Sequence, residues 1–256
     1  MRSPRGALLA ALLLAAVSGL CARPGGGPAA ARGPARGPAR GMGVRRGEAV
    51  GCPAGAAYGR LDDRDLKKAT LAWFNHVVVG HNLCPFAAAV RDDLRLVVVH
   101  GGRAEATAAL KEEVALLLDV PPGNEATTLL LLPGADFADF ENLMGYFQAE
   151  AEKVARKASK KAPIQVLPFH PLAAFADLDG DAADWATRSP VPVLHLLRDA
   201  DVTRAEDGWL EVHEAVDIQG RNAAYLRVVG WNEMQKLQDD CWTGIDLPAV
   251  EADRPQ

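Results

Sequence analysis

Residues 188–198 read RSPVPVLHLLR, and whether they form a helix or a strand decides the architecture of the chain's last third. Ser189 is a good helix cap and Pro190 suits a first helical position, since a capping oxygen accepts a free amide and proline lacks the donor that a helix start leaves unpaired. On this reading a helix begins at Pro190, with His195 and Arg198 three apart on one face and Asp199 four beyond His195. Its free amides, flanked by Arg188, make an anion site; the alternative is a satisfied core histidine at His195 and a buried pair between Arg198 and an acid.

Outward from that stretch the pattern is clearer. The segment 62–80, DDRDLKKATLAWFNHVVVG, opens on Asp caps, places Leu66, Trp73, Phe74, Val77 and Val78 at helical spacing and stops at Gly80. LRLVVVH at 94–100 and TTLLLLP at 127–133 are apolar runs of strand length, separated by a helix over 104–119. A long helix is expected from about Asp136 to Lys160. IQVLPFHP at 164–171 is a third strand, interrupted by Pro168 and Pro171. The expected fold class is therefore α/β: a small, mainly parallel sheet of three to four strands flanked by helices, with a helical C-terminal part.

The chain has 256 residues with a formal charge of −5, but the charge is unevenly distributed. Of the 28 basic residues, 8 precede Glu48, and no acid does. That leaves 20 basic against 33 acidic residues, a formal charge of −13, on the remainder. A body so acidic repels a phosphate backbone, which argues against nucleic-acid binding. Residues 1–22 pair a basic start with an apolar run from Ala7 to Val17, a signal-like segment too short for a stable membrane span. Residues 23–60 are a basic, Gly/Pro/Arg-rich, transit-like linker, and 61–256 are expected to form one α/β domain. A signal followed by an acid-free basic segment points to a plastid by bipartite import, with a secreted or mitochondrial protein as the alternative. Cys52, Cys84 and Cys241 remain after removal of the leader, an odd set without framework spacing, which suits a reducing compartment.

Ligands of parallel α/β sheets gather at the carboxyl ends of the strands, here His100-Gly101-Gly102, Pro133-Gly134 and Phe169-His170-Pro171. His170 is thus a candidate catalytic base, as is His195. Cys84, followed by Pro85, sits where a short helix would start, so unpaired amides would favour its thiolate. An inert, buried thiol is the alternative. The Asp-rich run 177–184 lacks the spacing of a calcium loop and reads as solvated.

NLCPFA at 82–87, FHP at 169–171, RSPVPVLHLLR at 188–198 and IQGRNAAYLRVVG at 218–230 together resemble the domain-of-unknown-function family numbered fourteen-fifteen, over about Leu71 to Gly230. The resemblance matches at Cys84, Pro85, His170, Pro171, Arg188, Ser189, Pro190, Pro192, His195, Arg198, Arg221 and Asn222. It departs at Ala173, Asp184, Thr187 and Val191. It implies no particular activity or cofactor.

Two classes of function follow. In the first, the protein is a small-molecule enzyme: Cys84 is nucleophile or redox thiol, and His170 or His195 is general base. Arg188, Ser189, Arg198, Arg221 and Asn222 bind a carboxylate or phosphate substrate. In the second, Cys84, His170 and His195 hold a metal or haem in a plastid assembly factor. An inactive scaffold is the third reading.

Overall fold

The computed structural model describes residues 55–121, 123–158, 162–175, 180–211 and 217–247. The expected leader and most of the linker, with Cys52, lie outside the described residues. Tyr58, in the 3-10 turn Gly55–Arg60, is already buried in the core.

Helix α1 spans Asp63–Trp73, and Asp62 caps it by accepting the Asp65 amide at 2.8 Å. It runs on as a π-helical turn, Phe74–Val79, and ends at Gly80, where any Cβ would lie 2.3 Å from the His76 carbonyl oxygen. Strand β1 (Leu94–Val98) leads through a Gly-Gly turn to α2 (Arg103–Asp119) and then to β2 (Thr127–Leu131). Gly134 lets the turn after β2 press on the turn after β1, since a Cβ there would fall 1.9 Å from the Gly101 carbonyl oxygen. The expected long helix is α3 (Phe140–Tyr146) and α4 (Glu152–Ala158), joined by a π-helical turn at Phe147–Ala151. Strand β3 (Ile164–Phe169) follows and continues through Pro168. It can, because β3 is an edge strand and its outward side needs no donor.

The decisive stretch is a strand. Val193–Arg198 forms β4, not a helix, and Ser189 and Pro190 lie in the approach to it. The sheet order is β1-β2-β4-β3, with β1 parallel to β2 and β4 antiparallel to both β2 and β3. The mainly parallel expectation is corrected accordingly: three strands share a direction, but only one of the three pairings is parallel. The leucines of VLHLLR carry high helix propensity, and a strand buried on both faces loses the alternation that would reveal it. Tertiary position settles the choice, since His195 lies between Leu129 of β2 and Leu167 of β3.

Beyond β4 the helical expectation holds, with α5 (Asp199–Leu210), α6 (Ile218–Val229) and α7 (Trp231–Asp240). Alternation along the strands divides the core in two. Leu129, Leu131 and Val193 pack on one face with Leu66, Trp73 and Phe74 of α1 and its extension, and with Leu226 and Met234 of α6 and α7. Leu130, Leu132, Leu194 and Leu196 pack on the other with α2, α3 and α4. Each wholly buried leucine contributes about 2 kcal/mol of transfer free energy. Among the described residues no helix is long and apolar enough to cross a membrane.

Candidate active site

Cys84 lies on the loop that follows Gly80. Asn82 takes a positive φ of 50° to turn the chain, and Leu83 plugs into the core. Helix α6 fastens this loop: Asn222 donates to the Leu83 carbonyl at 2.6 Å and Arg221 to the Asn82 carbonyl at 2.5 Å. Arg221 also donates to Asn222 Oδ1, so the two act as one clamp. His81 Nδ1 meets the Tyr225 hydroxyl at 2.7 Å. Cys84 is an exposed residue, yet protein crowds its sulfur from behind. That desolvation pushes the thiol pKa up, against the amides of Phe86 and Ala87 and the charge of Arg221, which pull it down. The short helix expected to start at Cys84-Pro85 is absent, since residues 85–90 form turns, and burial outweighs the amides that act on the thiol.

A second group of candidates gathers where β3 ends. His170 is fully buried, and its Nδ1 accepts the Leu172 amide at 3.0 Å, so Nε2 carries the proton and donates to the Phe137 carbonyl at 3.0 Å. Burial pushes its pKa down to about 4. Arg188 lies over the rings of Trp185 and Trp231, 4.9 and 4.5 Å from their centroids, and donates to the Ala173 carbonyl. Ser189 is fully buried and donates to the Val191 carbonyl at 2.6 Å, so it caps no helix.

A third group lies along β4. His195 Nε2 is 2.7 Å from Thr127 Oγ1, and that hydroxyl donates to the Leu196 carbonyl, which makes the imidazole the donor. Desolvation pushes His195 down to about 4. Arg198 is buried and donates through Nε to Asp201 at 2.6 Å, through Nη1 to the Val120 carbonyl at 2.9 Å and through Nη2 to the Asn124 carbonyl. In a strand His195 and Arg198 point to opposite faces. At about 3.4 Å per residue, Arg198 stands roughly 17 Å from Val193 and farther from Arg188, so one anion cannot touch both arginines.

The fold therefore gathers Cys84, Arg221 and Asn222 into one place and Arg188 and His170 into a second, and sets His195 and Arg198 of the third group on opposite faces of β4. Sequence reasoning missed His81 and Tyr225, although Tyr225 stands four residues from Arg221 on one helix face, a spacing that marks a shared surface. Among the described residues no group of three or more His, Cys, Asp or Glu side chains is placed to hold a metal ion. Cys84, His170 and His195 thus form no joint ligand set.

A family model described as Protein of unknown function (DUF1415) matches residues 65–236. The chain belongs to this family. No curated protein and no solved structure matches it. The DUF1415 region runs from the first turn of α1 into α7 and includes all four sheet strands and all three groups of candidates.

Proposed function

We propose that this DUF1415 chain is an enzyme acting on a small anionic molecule at the Cys84 loop. One observation carries the reading: Cys84 is an exposed residue on a loop that Arg221 fastens through the Asn82 carbonyl, and the charge of that guanidinium acts on the thiol. Amides and guanidinium favour negative charge, whether on the sulfur or on a carboxylate or phosphate beside it. Because burial raises the thiol pKa, the free enzyme holds it protonated at neutral pH and a base must take the proton. His170 and His195 have their bonded nitrogens committed elsewhere. His81 lies three residues before Cys84, and its Nε2 has no partner among the described residues.

Alkylation of the folded protein by iodoacetate and by iodoacetamide, read by mass at the Cys84 peptide, tests the reading. A neighbouring full charge in solvent is worth up to roughly 1 kcal/mol, or about fivefold in rate. Cys84 should therefore prefer iodoacetate by about that factor over free cysteine. Arg221→Gln should abolish the preference and Arg221→Lys keep part of it. Equal rates for the two reagents would overturn the proposal.

A fold-holding scaffold is the second reading, and the commitment of His170, Ser189, Arg198 and Asn222 to internal hydrogen bonds favours it. A plastid location by bipartite import is proposed from residues 1–60 alone; a fluorescent fusion of that segment that stays in the secretory pathway would refute it.

A further inference from the structure

A cavity of about 110 Å³ opens where β1 and β2 begin, beneath the C-terminal part of α2. Water in the liquid takes up about 30 Å³ per molecule, so the space suits a solute of a few heavy atoms. One polar side chain of VLHLLR braces its wall: Arg198 holds the carbonyl of Val120, which lines the cavity.

The lining has three chemical parts. Glu113 is a buried carboxylate, only 3% exposed, which accepts Arg95 Nε at 2.8 Å and the Thr128 hydroxyl at 3.3 Å. Arg95 is engaged through Nε, so its Nη groups have no partner among the described residues. Asp93 adds a second carboxylate at the exposed rim. Leu117, Val120 and Ala126 supply an apolar wall. One guanidinium and two carboxylates give a net charge of −1, which disfavours a simple anion. A molecule carrying both charges meets partners of each sign.

We infer that this cavity binds a small zwitterion of the amino-acid class. Its carboxylate lies on the Nη groups of Arg95, its ammonium faces Glu113 and Asp93, and its short aliphatic side chain packs on Leu117, Val120 and Ala126. The inference is independent of the Cys84 reading, because it uses none of that loop's residues.

The test is titration of the protein, Cys84→Ser included, with L-alanine, L-valine, isobutyrate and isobutylamine, followed through the backbone amide resonances of Val120, Thr127 and Thr128. The expected result is saturable perturbation by an amino acid in both proteins. Either half-molecule should bind at least about tenfold more weakly, the loss of one charged contact. Asp93→Asn changes an exposed position and should weaken the amino acid by a similar factor with the thermal midpoint kept; Arg95→Gln should weaken it likewise and also lower the midpoint, because the buried Glu113 loses its partner. No saturable perturbation, isobutyrate binding as tightly as valine, or unchanged binding in Arg95→Gln would each overturn the inference.

Discussion

The two arginines of RSPVPVLHLLR lie at opposite ends of one short segment and are held in opposite ways. Arg188 rests against the indole faces of Trp185 and Trp231, an attraction that is broad in angle and tolerant of small shifts. Arg198 is enclosed, and its guanidinium directs three separate donors at Asp201 and at the carbonyls of Val120 and Asn124. The first end fastens by contact, the second by geometry. A motif that is uniform as a string thus divides into two mechanical roles once the strand between its ends is formed.

Substitution should separate the two ends sharply. Arg198→Met leaves two carbonyls without their donor and Asp201 with Arg204 alone, and should cost about 3–5 kcal/mol in denaturant unfolding. Arg188→Met removes the ring contacts and the bond to the Ala173 carbonyl, and should cost about 1–2 kcal/mol by the same measurement. If the two losses were equal, the contrast would be wrong.

Acid extends the comparison to the histidines beside each end. His170 and His195 are both pushed down to about 4, so both are neutral in the native protein above that pH. In the unfolded chain histidine takes up a proton below about pH 6.5. Between those values the unfolded state binds more protons, so stability is full above about pH 6.5 and is lost as pH falls through about 4. The slope reaches up to about 1.4 kcal/mol per pH unit per histidine. Because both are pushed down to about the same value, the two histidines should share the loss about equally. Unfolding curves for His170→Gln and His195→Gln at pH 5 and 7 measure the split.

The loop that bears the candidate thiol should respond more weakly. Asn82→Ala forces an alanine into the left-handed region and should cost about 1 kcal/mol. Cys84→Ser should change stability by no more than about 0.5 kcal/mol, since the residue is exposed. A larger loss would mean that the sulfur is a packing group.

The sequence announced the elements that declare themselves locally. Asp62 and Gly80 bound the first helix because a carboxylate cap and a residue without Cβ are local requirements. The apolar runs of β1, β2 and β3 are legible because strand length and turn residues enclose them. β4 was illegible, since Ser189-Pro190 imitates a helix start and the leucines that follow suit either state. That one misreading placed His195 and Arg198 on a shared face and joined three separate groups into one wall. The pairing of Cys84 with Arg221 and Asn222 was also beyond local reading. The residues lie more than 130 positions apart, and a clamp between main-chain carbonyls and a distant helix leaves no spacing to detect.

The sheet order has a consequence for biosynthesis. β4 is the last of the described strands to leave the ribosome, yet it belongs between two strands made earlier. Until residue 198 emerges, β2 and β3 have no neighbour on their facing sides, and the nascent chain carries two open apolar edges instead of a sheet. At roughly 5–20 residues per second, the interval from the end of β3 to the end of β4 lasts a few seconds. A premature stop anywhere in that interval would yield not a smaller version of the protein but a sticky intermediate, a substrate for chaperones and proteases.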